Sequence, residues 1–252
     1  MQRWLGTVWE AWVDLVFPRL CCVCGVPVGE GWFCAGCEDS MPWVVAPYCG
    51  VCGEVYEGAV EGVFRCMNCS GRRLHFEFAV AACRAEGAAR ELVHRFKYER
   101  RLHLRGALAS VMLRTLEEPR LAGEDLGEWL LVPVPLHRER EGEREYNQSW
   151  ELCERLSRLT GIRAVRALVR TRETVQQAGL DREERLQNLR GAFGLRRGGW
   201  WGGGPGPGGL KGRRILLVDD VFTTGATTSE CARVLRGEGG AEKVVVITAT
   251  RG

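Results

Sequence analysis

Residues 219–227 read Asp-Asp-Val-Phe-Thr-Thr-Gly-Ala-Thr, and their types and order describe an anion site beside a sugar site. Four apolar residues, Ile215 to Val218, come just before, a short run suited to a strand buried on both faces. Asp219 and Asp220 then stand at that strand's carboxyl end. Thr223, Thr224, Gly225, Ala226 and Thr227 form a turn of small residues that opens a helix-compatible stretch from Thr228 to Arg236. Backbone N–H groups at a helix start, with threonine hydroxyls, can surround a phosphate, and the helix dipole favours its charge. Gly225 removes the Cβ that would block a close approach. Paired carboxylates accept hydrogen bonds from adjacent hydroxyls, as on a ribose, or hold a hydrated Mg²⁺. In an open α/β sheet, ligands bind at the carboxyl ends of strands.

The thirteen residues 215–227 resemble the phosphoribosyl-pyrophosphate (PRPP) motif of type I phosphoribosyltransferases. The resemblance implies that Asp219 and Asp220 face the ribose hydroxyls and that Thr223 to Thr227 hold the 5-phosphate. A strand, an acidic turn and a capped helix without a ligand is the plainer reading of the same residues.

A second chemistry lies in the cysteines. Those at 21, 24, 34, 37, 49, 52, 66 and 69 form four C-x-x-C pairs separated by nine, eleven and thirteen residues. Each pair presents two thiolates to one ion, and two pairs complete a tetrahedral S₄ site. Two structural zinc ions are expected at Cys21, Cys24, Cys34, Cys37, Cys49, Cys52, Cys66 and Cys69. Disulfide, redox and iron–sulfur uses are the competing readings. Sequential pairing of the motifs is simplest, and interleaved pairing is also compatible with the spacing. Cys22, Cys83, Cys153 and Cys231 are expected to be buried free thiols.

The elements that must position these groups are legible in outline. Phe76 to Cys83 reads as a strand, and helices are expected from about Ala88 to Tyr98 and from about Leu104 to Leu116. Leu130 to Leu136 reads as a second buried strand, followed by the loop donors His137 and Arg138. A helix should start at Tyr146-Asn147-Gln148-Ser149 and run to about Leu159. Residues 166–193 carry Arg170, Arg172, Gln177, Arg182, Arg185 and Asn188 with little core content, which suits a cover over a ligand. Residues 198–210 are a glycine-proline linker that contains Trp200 and Trp201. The fold class is therefore α/β: a parallel sheet flanked by helices, with an N-terminal double zinc ribbon. We divide the chain into an apolar lead at 1–18, the ribbon at 19–72 and the sheet domain at 73–252.

Charge separates these parts. The net charge of +3 hides an N-terminal segment, 1–69, with three basic and eight acidic residues. Residues 84–105 carry seven basic and three acidic residues, and 131–197 carry fourteen and ten. The acidic ribbon is a poor surface for a phosphate backbone. The cluster Arg95, Lys97, Arg100 and Arg101 is the candidate nucleic-acid surface, and a solvated helix face is its plainer reading. No stretch has the eighteen apolar residues of a membrane span. Residues 4–16 are apolar on one helical face, which docks on the protein itself or touches the inner face of a membrane. The chain is otherwise read as cytoplasmic.

Taken in order, these pieces resemble the ComF competence family over nearly the whole chain. The matching features are Phe17-Pro18, the four C-x-x-C pairs, Lys97-Tyr98, and Val132-Pro133-Val134-Pro135-Leu136-His137. They continue with Asn147-Gln148, the series Gln177, Leu180, Arg185, Asn188, Ala192-Phe193, and the terminal PRPP motif. The resemblance implies a phosphoribosyltransferase-like sheet domain. It also implies a role in natural transformation with binding of single-stranded DNA and of PRPP with Mg²⁺, and a helicase or channel of DNA uptake as partner. Whether the scaffold also carries out Mg-dependent transfer to a base or other nucleophile stays open. The chain departs from the family at Arg100, where glycine is usual, at Glu145-Tyr146, which replaces Gly-Phe, and at the insertion 198–210.

Overall fold

A computed structural model describes residues 18–60, 64–136, 146–172, 189, 191–196 and 209–252. The expectations for the lead at 4–16, for His137 and Arg138, for Gln177, Arg182, Arg185 and Asn188, and for Trp200 and Trp201 lie outside the described residues.

Five parallel strands form the sheet: β1 (Ala79–Arg84), β2 (Leu130–Pro133), β3 (Arg163–Ala164), β6 (Arg214–Phe222) and β7 (Lys243–Arg251). Their order is β1-β7-β6-β2-β3. An antiparallel pair, β4 (Leu168–Arg170) with β5 (Phe193–Leu195), stands apart from it. The helices are α1 (Ala35–Asp39), α2 (Gly87–Tyr98), α3 (Arg105–Met112), α4 (Gln148–Thr160) and α5 (Ala226–Gly237).

The continuous apolar run of β6 is explained by a core on each side of the sheet. Successive side chains alternate between faces, so Ile215 and Leu217 pack with α5 residues such as Cys231 and Leu235. Leu216 and Val218 pack on the other face with Phe96, Leu108 and Leu152 from α2, α3 and α4. The second cysteine quartet shares the α5 face with Phe76 and Phe222. Chain connections leave β2 and β6 in opposite directions, to β3 and to β7. The crevice between those two strands is thus the switch point at which such sheets bind ligands.

Four expected boundaries shift, the first being β1, which begins at Ala79 rather than Phe76. Strand β2 stops at Pro133 rather than Leu136. The helix expected to reach Leu116 has an α-helical part that ends at Met112 and continues as 3₁₀ turns, Leu113–Glu117. Strand β6 runs past Val218 to Phe222, because β7 goes on pairing with it to Arg251.

Arg100 has φ +55°, the conformation that glycine adopts without cost, just after α2. A glycine at this place, which the resemblance leads one to expect, would have a backbone reason. Arg100→Gly is accordingly expected to raise stability by about 0.5–1 kcal/mol. Urea titration checks this, and a lower midpoint would show that the arginine side chain outweighs its backbone strain. Tyr146, part of a second departure, packs on Phe96 with ring centroids 5.6 Å apart. Its hydroxyl donates to the Phe96 carbonyl (2.5 Å), which links the start of α4 to α2.

Candidate functional site

Pairing of β6 with β2 ends at Pro133↔Val218, where Val134 N–H donates to the Val218 carbonyl at 2.9 Å. From Asp219 onward no strand among the described residues pairs with β6 on its β2 side, although β6 itself continues. Asp219 and Asp220 therefore lie within a strand, at the mouth of the crevice.

Asp220 is buried and ion-paired with Lys97 Nζ of α2 at 2.9 Å; the two side chains are 7% and 19% exposed. Burial alone would lower the Lys97 pKa, but the Asp220 and Asp219 charges outweigh it and hold the amine above its ordinary value. Asp219 is placed differently. Its Oδ1 accepts from Ser149 Oγ (3.0 Å), at the start of α4, and from the Asp220 N–H (3.0 Å). Burial and the neighbouring Asp220 charge nonetheless push the Asp219 carboxyl up to about 7. The site thus holds one carboxylate ion-paired with Lys97 beside another whose pKa is pushed to about 7.

Ser149 reaches Asp219 because Asn147 fixes the start of α4. Asn147 Oδ1 caps the helix by accepting from Trp150 N–H (3.2 Å), and its Nδ2 donates to the Val134 carbonyl (3.2 Å). Asn147 and Ser149 are legible in the sequence as a helix start, but the Ser149 bond to Asp219 is not, since that partner lies seventy residues away.

The loop beyond β6 has the expected form. Gly225 sits at φ +74°, and a Cβ there would fall 2.6 Å from Phe222 Cζ, so only glycine fits. Thr223 is exposed, Thr224 and Thr227 are partly so, and Gly225 and Ala226 are buried. Thr224 Oγ1 accepts from the Ala226 N–H at 3.4 Å, and the N-cap residue Gly225 adds no side-chain cap to α5. Its first-turn N–H groups lack intrahelical acceptors and face the loop, as an anion site needs.

Lys97 parts company with its sequence neighbours. Two residues along a helix turn a side chain through about 200°, so Lys97 reaches Asp220 while Arg95 points elsewhere. Arg95 donates to Glu91 (2.8 Å) and to the Cys22 carbonyl (3.4 Å), and Arg101 pairs with Glu99 (3.0 Å). Arg95 and Arg101 line a cleft of about 850 Å³ with Arg19, His103, Arg155 and Trp32; the zinc-ligand candidates Cys21 and Cys24 line it too, and among the described residues no carboxylate does. Arg19, His103 and Arg155 were absent from the sequence-based surface because they come from three separate elements.

The cysteines pair sequentially, as Cys21, Cys24, Cys34 and Cys37, and as Cys49, Cys52, Cys66 and Cys69. Within each quartet the sulfurs lie within 4.8 Å of one another. Cys24–Cys34 is 3.6 Å and Cys52–Cys66 is 3.5 Å, against about 3.8 Å for sulfurs around one tetrahedral zinc. Burial opposes ionisation of Cys21, yet backbone N–H groups of Cys24, Cys34 and Val23 bring its thiol down to about 6. Burial also opposes ionisation of Cys49, and N–H donors led by Cys66 and Val51 bring it to about 7. Four converging sulfurs with N–H support fit structural zinc and leave no open coordination position. Cys83, Cys153 and Cys231 are buried free thiols as expected, whereas Cys22 is only partly buried.

Fold and site together define a double zinc-ribbon protein built on a parallel α/β sheet, with a carboxylate pair and a glycine loop at its switch point. The double zinc ribbon domain family matches residues 12–70. DNA utilization protein YhgH of Escherichia coli (strain K12) is 30% identical over 233 residues, covering 90% of this chain and 95% of the relative. Competence protein F of Haemophilus influenzae is 29% identical over 210 residues, covering 83% and 86%. Competence protein ComFC of Bacillus subtilis is 26% identical over 222 residues, covering 86% and 83%. The chain belongs to this family of competence and DNA utilization proteins. Among solved structures, phosphoribosylpyrophosphate synthetase from Mycobacterium smegmatis aligns with a TM-score of 0.33 at 18% identity, over 58% of this chain and 33% of that one. No helix among the described residues is long and apolar enough to cross a membrane.

Proposed function

We propose that this protein handles single-stranded DNA during uptake and binds PRPP, or a ligand like it, at the crevice between β2 and β6. The observation that carries the ligand reading is the joint placement of Asp219, Asp220 and Lys97 beside the glycine turn that starts α5. In this reading the two carboxylates accept from ribose hydroxyls, and Thr223 to Thr227 surround the 5-phosphate. His137 and Arg138 are proposed donors to the pyrophosphate. Mg²⁺ bound with the ligand would neutralise pyrophosphate charge. Calorimetric titration of the zinc-loaded protein with PRPP and Mg²⁺, with and without a short single-stranded oligonucleotide, tests the reading. Absence of heat with PRPP would remove the ligand half of it.

The DNA half is supported by the relatives' names and by the cleft lined by Arg19, Arg95, Arg101, His103 and Arg155. Trp32, partly buried against Gly106 of α3, lines the same wall and is the aromatic side chain there for a base to stack on. Engagement of four arginines by a single strand gives a log–log salt slope of about −3, or roughly 50-fold weaker binding between 50 and 200 mM salt. Joint replacement Arg101→Glu and Arg155→Glu is expected to weaken oligonucleotide binding at least ~10-fold and to flatten that slope. Fluorescence anisotropy reads both quantities. An unchanged slope would move the DNA surface elsewhere.

A transfer reaction is the second reading, supported by a cavity of about 470 Å³ lined by Asn147, Trp150, Arg166, Arg170 and Arg196. It begins one residue along α4 from Ser149, the Asp219 partner, and could receive an acceptor. Pyrophosphate release that depends on Asp219 or Asp220 would establish turnover.

A further inference from the structure

The loop proposed to hold the phosphate is built partly by the ribbon. Arg72, three residues after the zinc-ligand candidate Cys69, donates from Nη1 to the Thr224 carbonyl at 2.7 Å, across 152 residues of chain. Its position is braced within the ribbon. Arg72 also donates to the Asn68 carbonyl (3.3 Å), while Arg65 donates to the carbonyls of Cys69 (3.1 Å) and Arg72 (3.3 Å). A planar trans peptide points its C=O and N–H in opposite directions. Holding the Thr224 carbonyl toward the ribbon therefore turns the Gly225 N–H away from it.

A second bridge reaches the same loop from the end of β6. Arg251, at the end of β7, pairs with Glu54 and lies 4.0 Å from Cys52 Sγ. Its other amino group donates to the Phe222 carbonyl (3.4 Å). Phe76 packs edge-on against the Phe222 ring at 5.9 Å, and that ring is what forces glycine at 225. The His75 N–H donates to Ser229 Oγ in the first turn of α5 (3.2 Å). The first quartet makes no such contacts among the described residues; its neighbours are Arg95 and, through Trp32, Gly106 of α3 on the opposite face.

We propose that the Cys49–Cys52–Cys66–Cys69 zinc centre and the phosphate loop are one thermodynamic unit, with Arg72 as the positioning residue that couples them. Zinc in this centre fixes Arg72 and Glu54, which fix the Thr224–Gly225 peptide and Phe222. A ligand that needs that loop geometry stabilises the centre in return, since coupling between two binding equilibria is reciprocal. The inference rests on the reading that the loop binds a phosphorylated ligand.

The test measures zinc release from the full-length, two-zinc protein to a zinc-selective chelator, with and without saturating PRPP and Mg²⁺. Release of one of the two ions should slow about tenfold on adding PRPP, and release of the other should not change. Arg72→Ala should keep two zinc ions and bind PRPP about tenfold more weakly, with the protection gone. Arg72→Lys, which keeps one donor, should recover part of both and serves if the alanine variant fails to fold. PRPP that binds calorimetrically while both ions leave at unchanged rates would overturn the coupling and spare the ligand reading. PRPP that fails to bind wild-type protein would overturn both.

Discussion

Asp219→Asn is expected to raise the melting temperature by about 5 °C at pH 8 and to weaken PRPP binding at least ~100-fold. The two effects share one cause. Asp219 is held up to about 7 by burial and by the Asp220 charge, against 3.8 for an ordinary aspartate. A carboxyl whose folded pKa lies above its unfolded one contributes stability below the unfolded value, and loses that contribution as pH rises through the folded value. Above pH 7 the folded protein therefore carries an ionised group that burial and its neighbour disfavour, at a cost on the order of 1–3 kcal/mol. Asparagine removes the charge and keeps an oxygen to accept from Ser149 and from the Asp220 N–H. At 2–4 °C per kcal/mol for a chain of this size, the gain is about 5 °C. The ligand would lose an anionic acceptor for its hydroxyls. Melting curves of both proteins between pH 4 and 8 decide the matter: the gap between them should close as pH falls toward 4. A gap independent of pH would mean that Asp219 carries no such load. Wild-type affinity for PRPP should also climb from pH 6 to 8, as the carboxyl ionises.

The second large effect concerns the two zinc centres, which should not be equivalent. Cys49, Cys52, Cys66 and Cys69 are all buried and belong to the core on the α5 face of the sheet. In the first quartet only Cys21 is buried, and Cys24 is exposed. A structural zinc site contributes about 10 kcal/mol or more in isolated fingers, comparable to the whole stability of a domain. Cys52→Ala is therefore expected to leave little soluble protein, or a melting temperature lower by about 20 °C or more. Cys24→Ser should lose one zinc and keep the helix and strand content of the sheet domain. Elemental analysis for zinc with circular dichroism on both variants checks this. Equal losses from the two substitutions would show that the ribbon folds as a single cooperative block.

Several parts of the site could be read before any fold was known, and each was a local pattern. The C-x-x-C spacing named the zinc ligands, since two thiolates three residues apart reach one ion whatever surrounds them. The run from Ile215 to Thr227 named a buried strand, a carboxylate pair and a glycine turn. Asn147 was legible as the start of a helix. Even the anomaly at Arg100 was visible, and its left-handed backbone supplies the reason.

Tertiary structure decided how those pieces meet. Pairing of β2 with β6 stops at Val218 while β7 continues to Phe222, and this leaves Asp219 with no paired strand on the β2 side among the described residues. No local pattern states where a partner strand ends. Lys97 joined the arginine run in the sequence, yet the helical turn sends it to Asp220. Ser149 and Arg72 are unremarkable in the chain and act only through partners 70 and 152 residues away. Local composition sets which chemistry each short segment can offer, because spacing and side-chain type act over a few residues. The fold decided which segments share a site, because burial and ion pairing act between residues that only the folded chain makes neighbours.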